Sequence, residues 1–165
     1  MNSVEEKLAQ SVLFVCAKFG GDGFGVDRLN MTLWHTDTCG FLENGREVSG
    51  ARFTKAPQGP VVENLNEVLG HLVSSGKLVV SQVQVGDHSA TNFEVGDDLD
   101  GDADFDLLSE RDRNLLARYG EMAKQETVAE ARSWSHDMVW SVATLGEELP
   151  VAAAVVMRAT LTPAA

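Results

Sequence analysis

The chain has 165 residues, of which 44% are hydrophobic, and its formal net charge is -12 at pH 7. This composition predicts one globular domain over residues 1–165, large enough to bury a core. The negative charge argues against direct nucleic-acid binding, which needs a basic surface to neutralise phosphates. The longest apolar run is too short to span a bilayer, and the acidic N-terminus differs from a signal peptide, so we expect a cytoplasmic protein without membrane contact.

Two helices are predicted at the N-terminal end of the chain. Ser3 and Glu6 have the spacing of a capping box, and apolar residues follow at helical spacing up to Phe19. A second helix is expected after Asp27, whose side chain can cap it, and Gly40 is its expected end.

A short extended segment and a Gly-Pro pair come next. Residues 51–56 alternate in polarity like a strand, and Pro57 favours an extended conformation for the residue before it. Gly59 permits a turn, and Pro60 has the fixed φ that suits the first position of a helix. We therefore predict a strand-to-helix junction here, with a third helix that begins at Pro60 and ends at Gly76. Its predicted apolar stripe is Val61 or Val62, Leu65, Val68, Leu69 and Leu72.

A β-hairpin and an acidic loop are predicted in the middle of the chain. The runs KLVVSQVQV and TNFEV flank the turn-forming sequence GDHSA, as in a hairpin. Residues 96–106 contain six aspartates and predict a solvated, flexible loop, because clustered like charges repel one another. They do not match a calcium-binding EF-hand loop, since a glycine in the sixth position places Leu107 where glutamate is required.

Two more helices are predicted near the C-terminal end. Ser109 and Asp112 have capping-box spacing, and Thr127 with Glu130 predicts another helix start. The sequence ELPVAAAVVMRATL is compatible with either strand or helix, and residues 158–165 are expected to be flexible. Together these elements predict a mainly α (α+β) fold: a compact single helical domain with one small β-hairpin and a short extended segment before the Gly-Pro helix.

No catalytic, cofactor-binding or metal site is predicted from the residue spacing. His35 and Cys39 can share one helix face as half of a zinc site, but no second pair has ligand spacing. Ser135, His136 and Asp137 have the residue types of a catalytic triad, but neighbours on a helix point in different directions. We expect at least two of the three tryptophans to pack in the core, and the alternative is that they line an interface. These residues are Trp34, Trp134 and Trp140.

The order of the motifs resembles the Panacea domain, the family of SocA-like antitoxins. The segments LNMTLWHTD, GREVSGARFTKAPQGPV, LLSERDRNLL and SWSHDMVW follow one another as the elements of that family do. The chain departs from the family where WHT replaces the usual tyrosine-containing stretch, and its acidic loop is longer. The resemblance assigns a structural role to these residues: Leu29, Asn30, Gly50, Ala51, Phe53, Gly59, Pro60, Ser135, His136 and Trp140.

The resemblance implies a non-catalytic antitoxin of a bacterium or phage. Such a protein binds and neutralises a cognate protein toxin, here expected to be basic or to handle RNA or nucleotides. One alternative is a proteolytic adaptor that delivers a bound toxin to ClpX or another AAA+ protease of the ClpXP type. A lower alternative is a small-molecule enzyme that uses His136 with Asp137 or Asp37.

The partner-binding surface is predicted where the second helix meets the sequence KAPQGP. Trp34 and Asp37 come from the helix, and Lys55 and Gln58 come from a loop stiffened by two prolines. Loops on rigid scaffolds commonly carry recognition residues, which is the reason for this prediction.

Overall fold

The computed structural model describes residues 1–21, 23–127, 129–130 and 137–154. Within them the chain has the predicted α+β fold, with helices packed around antiparallel sheets of three strands (order β2-β1-β5) and two strands (β3-β4). The helices are α1 (Ser3–Phe19), α2 (Val26–Asn44), α3 (Leu65–Ser74), α4 (Glu110–Gln125) and α5 (Met138–Val142). The strands are β1 (Phe53–Ala56), β2 (Gly59–Val62), β3 (Leu78–Val85), β4 (His88–Val95) and β5 (Glu148–Leu149).

Helix α1 begins one residue earlier than its predicted capping box. The Asn2 side chain accepts a hydrogen bond from the backbone N–H of Glu5 at 3.0 Å. In return, the Glu5 carboxylate accepts from the backbone N–H of Asn2 at 2.8 Å. The predicted pair of Ser3 and Glu6 is therefore wrong by one position, because Asn2 is an equally good cap that stands one residue upstream.

The predicted start of helix α4 is confirmed. Ser109 accepts from the backbone N–H of Asp112 at 3.1 Å, and the Asp112 carboxylate accepts from the N–H of Ser109 at 3.2 Å. Asp112 is buried and also lies 2.9 Å from Lys7 Nζ, which joins α4 to α1. One carboxylate thus caps its own helix and holds the neighbouring one.

Helix α2 is longer than predicted at its C-terminal end. Its N-cap residue is Gly25, which supplies no side-chain cap, so Asp27 is not the N-cap. The helix passes through Gly40, and its C-cap residue is Gly45, which has a φ of 71°. Gly40 is buried, and a Cβ there would lie 3.0 Å from Val48 Cγ2. Gly40 therefore allows a later loop to pack closely against the helix, a role that local sequence does not reveal.

The sequence KAPQGP forms a second β-hairpin, and the prediction that Pro60 begins a helix is wrong. Ala56 lies opposite Gly59 and Lys55 opposite Pro60, and α3 begins only at Leu65. Hydrogen-bonded and non-hydrogen-bonded residue pairs alternate along an antiparallel ladder, and the pair of Lys55 and Pro60 is of the second kind. A backbone N–H at position 60 would therefore point away from β1. Proline therefore loses no hydrogen bond in this edge strand, and local sequence rules do not distinguish that position from a helix start.

The hydrophobic core is built from both sheets and from the helices that cover them. Trp34 and Phe53 pack edge to face at its centre, with ring centroids 5.1 Å apart, and neither is exposed to solvent. The predicted apolar stripe of α3 is confirmed, because its buried side chains are Leu65, Val68, Leu69 and Leu72.

The β3–β4 hairpin is confirmed, whereas the acidic loop is more ordered than predicted. Val85 lies opposite His88, so only two residues form the hairpin turn. In the loop, Asp104 is only 8% exposed and forms an ion pair with Lys77. A short 3-10 helix, Ala103–Phe105, places the Phe105 ring against Phe14. The other five aspartates of residues 96–106 are exposed, as expected.

Some predictions concern residues outside the described part of the chain. Thr127 and Glu130 form the predicted cap, with the N–H of Thr127 donating to the Glu130 carboxylate at 2.9 Å. The continuation of that helix, including Trp134, Ser135 and His136, and the predicted flexible residues 158–165 lie outside the described residues. Within the described ranges, no helix combines the length and apolar character needed to cross a membrane.

Candidate partner-binding surface

Two of the four predicted contact residues, Trp34 and Asp37, are buried. Both residues lie on successive turns of α2, and both side chains are 0% exposed. Their burial removes them from the surface that the sequence predicted, because the face of α2 that carries them packs inward. The expectation that tryptophan packs in the core is confirmed for Trp34.

Asp37 anchors the loop that leads from α2 to β1. Its carboxylate accepts hydrogen bonds from the N–H of Val48 at 3.1 Å, the N–H of Ser49 at 2.7 Å and the hydroxyl of Ser49 at 2.6 Å. Burial raises the pKa of Asp37 to about 6, and the hydrogen bonds from Ser49 and Val48 oppose that rise. Asp37 is therefore an internal acceptor for otherwise unpaired donors, and its role is to position a loop.

Trp34 is connected to the C-terminal part of the chain through Asp137. Its indole N–H donates to Asp137 Oδ2 at 3.0 Å, while Asp137 Oδ1 accepts from the backbone N–H of Trp140 at 3.0 Å. Asp137 is thus the N-cap of α5 and holds that helix against α2. This geometry gives Asp137 a structural role. Ser135 and His136, the other two residues considered for a catalytic triad, lie outside the described residues.

Lys55 and Gln58 lie at the β1–β2 hairpin and differ in their surroundings. The ammonium group of Lys55 is 4.1 Å from the Trp140 ring centroid and donates to the carbonyl of Ala143 at 2.9 Å. The Trp140 indole N–H donates to the carbonyl of Ala56 at 3.1 Å. Lys55 therefore joins the hairpin to α5 and is half-buried, and Gln58 is the exposed member of the predicted contact set.

The described motif residues of the family resemblance build the frame around this hairpin. Asn30 Oδ1 accepts a hydrogen bond from the N–H of Val62 at 2.9 Å, which gives this N–H on the outer edge of β2 a partner. Gly50 and Gly59 adopt φ values of 70° and 139°, which favour glycine. The buried motif residues with apolar side chains are Leu29, Ala51, Phe53 and Pro60.

An exposed acidic segment extends beyond the acidic loop that was predicted from the sequence. Residues 78–110 contain nine Asp and Glu residues and no Lys or Arg. Eight of these nine carboxylates are exposed, and Asp104 is the exception. The signal that could have identified this surface is the absence of Lys and Arg between Lys77 and Arg111, which extends well beyond the acidic loop itself.

The acidic segment is held by hydrogen bonds at two points. At the base of the β3–β4 hairpin, the N–H of Gly96 donates to the Lys77 carbonyl at 2.9 Å. At the other end, Gln10 donates through Nε2 to Asp106 Oδ1 at 2.7 Å and accepts from the N–H of Leu107 at 2.9 Å. The exposed carboxylates are therefore presented from a loop with defined attachments.

The two residues considered as half of a zinc site face other partners. Cys39 Sγ lies 3.3 Å from Glu43 Oε1, and the His35 ring stacks on Tyr119 with centroids 5.9 Å apart. Across the residues that the structure describes, no three His, Cys, Asp or Glu side chains stand close enough to hold a metal ion.

The comparisons with known proteins identify no relative of this chain. No family model, no curated protein and no solved structure matches the chain. The resemblance to the Panacea domain therefore stays a prediction that depends on the motifs quoted from the sequence.

Proposed function

We propose that this chain is an antitoxin that neutralises a cognate protein toxin by direct binding, and that the toxin presents a basic surface. The observation that carries the proposal is the exposed acidic segment, residues 78–110, which holds nine of the chain's carboxylates and no Lys or Arg. The order of the sequence motifs, which resembles the Panacea domain, supports the same function.

The acidic segment suits protein recognition for an electrostatic reason. A surface of one sign raises the local concentration of an oppositely charged partner and accelerates its association. Toxins that handle RNA or nucleotides need basic residues to bind phosphates, so they present the complementary charge. The same acidic surface repels nucleic acid, which directs the interaction to the toxin and away from the toxin's substrate.

Co-expression with the products of adjacent genes tests this function. A toxic neighbour should stop growth alone, and growth should recover when this chain is produced with it. The purified pair should form a complex whose association rate falls as salt concentration rises, because salt screens the attraction. A neighbour that is toxic but neither bound nor neutralised by this chain would refute the proposal.

A charge-matched pair of variants sharpens the test. Asp97→Asn with Asp102→Asn removes two exposed carboxylates from the acidic segment and should slow association several-fold. Glu121→Gln with Glu147→Gln removes the same charge elsewhere on the surface and should slow it less. Equal effects of the two variants would show that only net charge matters and that the segment has no special role.

The same cells distinguish neutralisation by binding from proteolytic delivery. If growth recovery persists after deletion of the ClpXP protease, binding alone neutralises the toxin, as we propose. If recovery disappears, the chain acts as an adaptor and the proposal of direct neutralisation is wrong.

A further inference from the structure

A groove runs between α1 and α3 on the side of the domain next to the acidic loop. The first turns of α1 and one face of α3 form its walls. It consists of three adjoining clefts of about 750, 90 and 220 Å³. Neighbouring clefts share lining side chains, namely Glu5, Asn64 and Glu67 at one junction and Met1 and His71 at the other. We call this surface the α1–α3 groove.

The length of the α1–α3 groove matches a short extended peptide. Its α1 wall runs from Asn2 to Leu13, which corresponds to about 16 Å at the rise of an α-helix. An extended chain advances about 3.3 Å per residue, so about five residues would lie along the groove. Arg52 lines the cleft at one end of the groove, and Leu107 lines the cleft at the other.

The charge of the groove is strongly unbalanced. Six carboxylates line it: Glu5, Glu6, Glu63, Glu67, Asp104 and Asp106. Its Lys and Arg side chains are already paired, Arg52 with Glu63 and Glu148, and Lys77 with Asp104. Glu6 and Glu67 are exposed and form no ion pair with any residue in the described part of the chain. The groove therefore has more carboxylates than cationic groups among the residues that line it.

The groove also offers apolar contact surface near both ends. Val4 is 55% exposed at one end, and Leu107 is 42% exposed at the other. The buried residues Leu13 and Leu72 contribute to the lining of the cleft beside Leu107. The aliphatic stems of lysine and arginine can lie on such residues while their charged ends reach the carboxylates.

We propose that the α1–α3 groove binds an extended basic segment of the partner protein, about five residues long, with Lys or Arg facing Glu6 and Glu67 and an aliphatic residue against Leu107. This inference rests on the proposed function, since it assigns the docking site of the same basic partner. A second copy of this chain is a poor occupant, because each copy carries a net charge of -12. Electrostatic repulsion likewise excludes a nucleic-acid strand.

The docking site and the acidic segment have separable kinetic effects. Charges at the rim of an interface mainly set the association rate, whereas contacts buried in the complex mainly set the dissociation rate. Substitutions in the α1–α3 groove should therefore accelerate dissociation, and substitutions at the exposed tip of the β3–β4 hairpin should affect association. This difference allows the groove to be tested against nonspecific attraction.

The probe is a fluorescein-labelled peptide with the sequence Arg-Leu-Arg-Leu-Lys, measured by fluorescence anisotropy with the full-length protein. Glu6→Lys with Glu67→Lys should weaken its binding about tenfold or more, because two attractions become repulsions. The control, Asp87→Lys with Glu94→Lys, makes the same change of charge at exposed hairpin positions and should weaken binding less than about threefold. Equal losses in the two variants would overturn the groove as a specific site.

Two further measurements protect the test against misfolding and locate the peptide. The neutral variant Glu6→Gln with Glu67→Gln keeps side-chain size and should show an intermediate loss, while circular dichroism verifies the fold of each variant. In NMR spectra, the peptide should shift the amide signals of Glu6, His71 and Leu107 more than those of the hairpin tip. Shifts confined to the hairpin tip would contradict the proposal.

The growth assay separates failure of this inference from failure of the proposed function. If wild-type protein and the Glu6→Lys, Glu67→Lys variant neutralise a toxin equally well, the groove is not the docking site, although the antitoxin function stands. If the peptide occupies the groove but the chain neutralises no toxic neighbour, the groove is a basic-peptide site and the antitoxin function is wrong.

Discussion

At the scale of single residues, Asp37 shows how burial changes the role of a polar side chain. The sequence placed it on a partner-binding surface, where the second helix was expected to meet the KAPQGP loop. In the structure it accepts three hydrogen bonds from the loop before β1. Removing those acceptors leaves two backbone N–H groups and a hydroxyl buried without partners, so Asp37→Ala should cost about 3–5 kcal/mol of folding free energy.

The pH dependence of stability should report on Asp37. Its pKa is raised by burial from 3.8 to about 6 in the folded protein, so the folded state binds the proton more tightly than the unfolded state. This contribution to stability is therefore complete below pH 3.8 and is lost as pH rises through about 6. Two pKa units correspond to about 3 kcal/mol.

The near-isosteric variant Asp37→Asn isolates this effect. Its amide oxygen keeps an acceptor for the loop N–H groups but does not titrate. Chemical denaturation across the same pH range should show that wild-type protein loses stability relative to the variant as pH rises. Parallel stability curves for the two proteins would mean that Asp37 keeps an ordinary pKa in the folded state.

At the scale of elements, the β1–β2 hairpin depends on one backbone conformation. Gly59 has a φ of 139°, which side chains other than that of glycine rarely permit, and it lies directly opposite Ala56. Gly59→Ala should therefore destabilise the protein by about 1–3 kcal/mol. Thermal unfolding followed by circular dichroism measures this loss.

Gly70 provides a matched control for the same substitution. It lies in the middle of α3, is exposed, and a Cβ at this position meets no atom within 4 Å. Gly70→Ala should stabilise the protein by about 0.5–1 kcal/mol, because alanine is the better helix former. If both variants lose stability, the assignment of strain to Gly59 alone is incorrect.

Elements with strong local signals could be predicted from sequence, and those defined by distant contacts could not. The stripe of α3, the capping box of α4 and the β3–β4 hairpin each depend on neighbouring residues and are confirmed. The end of α2 depends on Val48 packing against Gly40, and the environment of Pro60 depends on pairing with β1. The α1–α3 groove exists only when two helices pack together, so its carboxylates look like ordinary solvated helix faces in the sequence.

At the scale of the whole molecule, charge opposes compactness. The net charge is -12, and nine of the carboxylates are concentrated in residues 78–110. Repulsion within this segment weakens as salt shortens the screening length, from about 30 Å at 0.01 M to about 3 Å at 1 M. Thermal stability should therefore increase with sodium chloride concentration over that range.

A variant that lowers the charge density locates the origin of this salt effect. Replacing Asp97, Asp98 and Asp102 by asparagine should raise the melting temperature at low salt and reduce its dependence on sodium chloride. All three side chains are exposed, so the substitutions change charge without disturbing the core. An unchanged salt dependence would place the dominant repulsion elsewhere on the surface.

The central position of β1 also has a consequence for the order of events during synthesis. Phe53 pairs with Val62, only a few residues later, but its second neighbour is Leu149, on a strand that is made much later. On the ribosome, the β1–β2 ribbon can form early, while the other side of β1 lacks its β5 neighbour until that strand has been made. An unpaired strand edge can bind another chain, so the nascent protein is open to aggregation through this edge during the whole interval between the two pairings.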